Sequence, residues 1–329
     1  MLSRVADSLF WMSRYLERAE NVARFVDVNL HLCLDLPGPE GEQWAPLVLA
    51  SGHREDFAAR YGEPTRENVI RFLILDPDSP NSIYSCVASS RENARWIRQF
   101  ITVEMWETLN RFYLEFRHAA GQRGTQWLTH DFLDTVVAAS QMFLGVVDAT
   151  MSRGEGWHFC RMGRMLERSD KTSRILDVKY FHLLPSPAYV NTPYDDILWS
   201  AVLRSTSALE MYRKLYHLIQ PASVVNFLVL DQEFPRAIHH CVTMAEQSVR
   251  AVSGTRSGTY RNRAERELGR LRADLDYANV EDLIESGLHE FLDGIQARLN
   301  SVGDAIFETF ITLRPVDAAA ENPLGGDGQ

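Results

Sequence analysis

At 329 residues the chain is long for a single hydrophobic core and comfortable for a repeated one. Charged residues make up 24% and hydrophobic residues 45%, and the formal charge of −10 argues against nonspecific binding to nucleic acid or anionic membrane, whose phosphates an acidic surface repels. Four scattered cysteines (Cys33, Cys86, Cys160, Cys241) form no Cys-x-x-Cys pair, which fits reduced thiols in a cytoplasmic protein better than a disulfide framework.

Taken in order, the chain is helical throughout. Asp7, Arg14 and Glu17 come too early for a signal h-region, and no run of 18 apolar residues offers a membrane span. From Ser3 to about Asn29, Val5, Leu9, Met12, Leu16, Ala19, Ala23 and Val26 recur at helical spacing and mark the core stripe. Arg14, Glu17, Asn21 and Arg24 share another face, with Glu20 beside them. Leu36-Pro-Gly-Pro-Glu-Gly41 breaks the pattern. Further helices are expected from Trp44 to Tyr61, from Glu67 to Leu75, from Asn81 to about Phe100, through Trp106 and Phe116 to the glycines 121 and 124, and from His130 to Met151. The later helices are expected over about Glu265–Tyr277 and Val280–Thr312, with a frayed tail beyond Pro315.

The first helix has an echo. Shifted by 150 positions, Arg14-Tyr-Leu-Glu-Arg-Ala-Glu-Asn-Val-Ala-Arg24 becomes Arg164-Met-Leu-Glu-Arg-Ser-Asp-Lys-Thr-Ser-Arg174. At a shift of 155, Trp44, Phe72–Asp76, Pro80, Cys86 and Arg95 find Trp199, Phe227–Asp231, Pro235, Cys241 and Arg250. The expected fold is therefore an all-α, duplicated helical bundle of two pseudo-symmetric halves packed together, residues 1–152 and 153–314, with a disordered tail at 315–329.

The candidate site residues are Arg14, Glu17, Arg18, Glu20, Asn21 and Arg24 with their second copy Arg164, Glu167, Arg168, Asp170 and Arg174. A third group, Arg91, Glu92 and Arg95, stands on one helix beside Arg98. Converging guanidiniums would hold a carboxylate or phosphate, and a desolvated glutamate among them would serve as acid or base. The alternative is a buried ionic network that fixes the register of the bundle. The arginine excess of the first half favours an open ligand cleft at Glu17, so Glu17→Gln is expected to spare stability and abolish binding. Glu115-x-x-His118 and Glu155-x-x-His158 have the spacing of di-iron bundles but fall at a helix end and in a turn, so no metal is expected. No Gly-x-Ser-x-Gly, Walker loop or dinucleotide fingerprint occurs, and no cofactor is expected.

The two Leu-Glu-Arg segments, the opening Met-Leu-Ser-Arg-Val-Ala-Asp-Ser-Leu-Phe-Trp-Met-Ser-Arg and the Arg91-Glu-Asn-Ala-Arg95 stretch resemble the bacterial alpha-E family, uncharacterised helical proteins with a Glu-Arg motif. The resemblance implies a setting beside circularly permuted ATP-grasp amidoligases and transglutaminase-like proteins. It further implies an accessory role in peptide ligation or modification, binding peptide or partner enzyme through a Glu/Arg-lined cleft. The alternative is an enzyme of its own, catalysing acyl transfer or peptide cleavage with Glu17 and Glu167 as acid–base groups.

Overall fold

A computed structural model of the chain describes residues 1–35, 43–121, 130–182 and 193–312. The expected break at 36–41, most of the 121–124 turn, the 183–187 connection and the 315–329 tail lie outside these residues. Among the described residues every regular element is a helix: α1 (Ser3–Asp35), α2 (Ala45–Ser51), α3 (Arg54–Tyr61), α4 (Arg66–Ile70), α5 (Ile83–Trp96), α6 (Val103–Ala120), α7 (His130–Thr150), α8 (Glu155–His182), α9 (Pro193–Ser205), α10 (Leu209–Leu215), α11 (Pro221–Val225), α12 (Ile238–Ser253), α13 (Arg263–Asp276), α14 (Val280–Ser286) and α15 (Leu288–Ile306). The ends of α4, α11 and α15 widen into π-helical turns at Arg71–Leu75, Asn226–Leu230 and Phe307–Ile311.

The centre of the molecule is the packing of α1 on α8. Helices α5 and α7 flank α1, while α12 and α15 flank α8. All seven residues of the expected α1 stripe are buried in one large core. The two axes touch closely because Gly163 has no side chain: a Cβ there would lie 2.2 Å from the Phe10 carbonyl oxygen. Side chains then pin neighbours to this pair. Ser90 Oγ donates to the Met12 carbonyl, and Thr172 Oγ1 donates to the Arg236 carbonyl, both over 2.9 Å. Thr65, Ser82, Thr102, Asn262 and Asn279 cap their helices by accepting backbone N–H bonds, as N-cap residues do.

Two expected helices are each divided. The Trp44–Tyr61 helix stops at Gly52, whose φ of +79° is left-handed, and the Val280–Thr312 helix stops at Gly287, with φ +106°. The first break recurs 155 residues on at Ser207, the one non-glycine residue with positive φ among those described. Around both breaks the aromatic packing has the same form. Phe57 stacks on Tyr61 with Phe72 edge-on to both, and Tyr212 stacks on Tyr216 with Phe227 edge-on to both. Cys86 and Cys241 each point their Sγ at a carbonyl, of Pro80 and Pro235.

Helix α7 adds a feature the sequence analysis did not expect. It is the one described helix long and apolar enough to cross a membrane, with a mean hydropathy of 1.4 in its most apolar stretch. One face of it, Leu133, Val136, Phe143 and Val147, is buried against α1 and α6.

Candidate functional site: a reciprocal Glu-Arg clasp

The repeated motif lies where α1 and α8 face each other, and each copy's glutamate is held by the other copy's arginine. On one side Arg168 forks onto Glu17, with Nε to Oε1 and Nη2 to Oε2, both 2.8 Å. On the other, Arg18 forks onto Glu167, with Nε to Oε1 at 2.6 Å and Nη2 to Oε2 at 2.9 Å. Arg14 Nε adds a third bond to Glu167 at 2.9 Å. Bidentate guanidinium–carboxylate pairing fixes orientation as well as distance, so two such pairs set the rotation and the register of the helices together.

Further groups complete each side. Arg236, from the turn before α12, reaches Glu17, Asn21 and Glu20 at 2.9, 2.9 and 2.5 Å. Glu20 also accepts from Arg24, and Asn21 donates to Glu17. Around Glu167, Lys171 lies 3.7 Å away and also pairs with Asp170, which accepts from Arg174. Arg18 Nη1 donates to Asn81 Oδ1, and Arg168 Nη1 to the Pro235 carbonyl. Arg236 and Asn81 stand at equivalent places, one residue after Pro235 and Pro80. The sequence analysis matched those prolines without reading the next residue, which was the signal for Arg236. Lys171, opposite Asn21 in the second copy, was likewise visible but unassigned.

The carboxylates of the network are closed to solvent, while Arg14 and Arg18 on its outer side line a cavity of about 500 Å³ with Trp11 and Asp304. Glu17 is 4% exposed and Glu167 0%, with Glu20, Asn21, Arg168, Asp170, Lys171 and Arg236 also buried. Burial alone pushes the Glu17 carboxyl up, but the guanidiniums of Arg168 and Arg236 outweigh it and hold the group down to about 2. Glu167 moves the same way: Arg18, Arg14 and Lys171 overcome its burial and keep it well below the usual carboxylate range. Lys171 and Arg174 do the same against the burial of Asp170. Carboxylates so placed carry no proton to give at neutral pH, and their lone pairs are occupied by donors. The arrangement is suited to joining helices.

The other candidate residues stand apart or differ from their counterparts. Arg164, the repeat of Arg14, lines a small cavity of about 30 Å³ with Glu17, Glu20, Ser140 and Cys160, and its buried Nε has no partner among the described residues. Among the described residues Arg91, Glu92 and Arg95 make their bonds away from the clasp. Arg91 bonds Asn110 and Glu92 and stacks over Trp106 and Tyr113, while Arg95 pairs with Glu92 near the surface.

Of the two Glu-x-x-His pairs, Glu115 and His118 are exposed on α6. Glu155 and His158 occupy the first turn of α8 rather than a loop, because the helix starts at Glu155, which pairs with the N-terminal amine. Cys86, Cys160 and Cys241 are buried thiols, pushed up by that burial to about 12, 11 and 12. They are poor nucleophiles.

A family model described as a predicted α-helical domain with a conserved ER motif, Alpha-E, matches residues 1–311. The uncharacterised proteins Mb2597 of Mycobacterium bovis and Rv2567 of Mycobacterium tuberculosis are each 24% identical to the chain over 355 residues, across 99% of it. The chain spans 38% of the length of these relatives. No solved structure matches it. The motif in the family description is present here as Glu17-Arg18 and Glu167-Arg168, paired crosswise, and the chain belongs to the Alpha-E family.

Proposed function

We propose that the chain is a non-catalytic, duplicated helical module, an accessory component of a peptide-ligation or peptide-modification system. The partners are a circularly permuted ATP-grasp amidoligase and a transglutaminase-like protein, and the setting is cytoplasmic. The observation that carries the non-catalytic part is the burial of the Glu17 and Glu167 carboxylates between arginines, which suits a joint. In the mycobacterial relatives the matched region makes up 38% of a longer chain.

The partner surface in this reading is the corner between α5 and α6. Trp96 and Val103 are both 68% exposed, with Phe100 also exposed and Arg95 and Arg98 beside them. Exposed tryptophan and arginine at one corner match the composition of interface hot spots.

Co-expression with a circularly permuted ATP-grasp amidoligase and a transglutaminase-like protein from the same organism tests the proposal. Tagged wild type is expected to retain at least one of them through gel filtration, and Trp96→Ala with Arg95→Ala to lose it without a change in melting temperature. Elution of the chain alone, or peptide turnover by the isolated chain, would overturn the proposal.

A further inference from the structure

The aspartates one turn beyond the clasp, Asp27 on α1 and Asp177 on α8, are both taken by a histidine near the start of another helix. His130 Nδ1 lies 2.5 Å from Asp27 Oδ1, and His289 Nδ1 lies 2.7 Å from Asp177 Oδ1. This tie occurs twice and belongs to the architecture. The first has an addition. His31, four residues after Asp27 on the same face of α1, puts its Nε2 3.9 Å from Asp27 Oδ2. Its ring stacks on that of His130 with centroids 3.9 Å apart. The corresponding position in the second half holds Phe181.

We propose that Asp27, His31 and His130 bind one divalent transition-metal ion of the zinc and cobalt class. Each residue offers a ligand atom, and the three atoms all lie within 4.8 Å of one another. Bonds of about 2.0–2.1 Å to imidazole and carboxylate need closer convergence, which half-exposed His31 reaches by rotating its ring. Two imidazoles and one carboxylate suit a borderline ion, and such a set leaves coordination positions open.

The site faces an open cavity of about 310 Å³ lined by Arg24, Asp27, Val28, His31, Asp134, Val137 and Arg204. Asp134, four residues after His130 on α7, lines the same cavity as Asp27 and His31 of α1. Arg24 and Arg204 also border the cavity, and Arg24 pairs with Glu20. His31 is not part of the aspartate–histidine tie that the two sites share.

Titration of tag-free, chelator-stripped protein with Co²⁺ and with Zn²⁺, followed by calorimetry and by the visible absorption of bound cobalt, tests the site. Wild type should take up one ion per chain. His31→Ala should weaken uptake at least tenfold while melting as the apoprotein does, and Asp27→Asn should abolish it. His289→Ala, at the mirror tie, should bind like wild type. Absence of stoichiometric uptake by wild type would overturn the proposal, as would equal loss in His31→Ala and His289→Ala or full retention in His31→Ala.

Discussion

Two arginines that the repeat makes equivalent in kind to others have opposite energetic roles. Arg168 is bidentate on Glu17 and is held above its ordinary value because that carboxylate outweighs its burial. Arg164 is pulled below its ordinary value by burial and by Arg168, with its Nε left without a partner. Removing one member of a buried pair strands the other charge, at a cost of about 3–5 kcal/mol, whereas the burial of Arg164 outweighs its attraction to Glu17 and Asp148, so its charged form opposes folding. Arg168→Met should therefore lower the unfolding free energy by several kcal/mol, and Arg164→Met should leave it unchanged or raise it. Urea unfolding curves of the two variants provide the check.

The recurrence of Leu-Glu-Arg was legible in the sequence because identity at a fixed shift is directly visible. The cross-pairing was not, because helical spacing describes neighbours on one helix and says nothing about which residue answers across to another. Arg236 shows the cost: it lies outside both motifs yet joins three of their residues.

Among the elements, glycines at different places should respond in opposite directions. A Cβ on Gly163 would strike the backbone of Phe10, whereas one on Gly145 of exposed α7 meets nothing within 4 Å. Gly163→Ala should cost about 1–3 kcal/mol by forcing α1 and α8 apart, despite the gain in helix propensity. Gly145→Ala should stabilise by up to about 1 kcal/mol. Thermal melts should move down for the first and up for the second; two shifts of the same sign would contradict the close α1–α8 crossing.

Helix identity, the α1 stripe and the Glu67–Leu75 segment were legible in the sequence, the last starting one residue later than the helix at Arg66. The breaks were less visible. Gly52 is a recognisable stop, but Ser207 adopts a left-handed conformation that its type disfavours, so only the match to Gly52 points to it. The Arg91 cluster was readable as a charged face, but its stacking on Trp106 and Tyr113 depends on how α6 returns against α5.

For the molecule as a whole, the account makes the clasp a structural joint between α1 and α8, with interaction left to outer surfaces. That reverses the sequence expectation for Glu17→Gln, because a cleft crowded with arginines and open to a ligand would tolerate loss of the carboxylate, whereas a sealed pair does not. Linkage gives the claim a pH signature. Glu17 is depressed from 4.5 to about 2 in the folded state, so its contribution is fully present above pH 4.5 and is lost as pH falls toward 2. A depression of that size corresponds to roughly 3 kcal/mol, and Glu167 acts in the same direction. The most direct measurement is the urea unfolding free energy of wild type and Glu17→Gln between pH 2 and 7. The account predicts that Glu17→Gln is several kcal/mol less stable at pH 7 and that its deficit shrinks as pH falls through the window below 4.5. Wild-type stability in Glu17→Gln at pH 7, together with loss of partner binding, would contradict it and restore the open cleft.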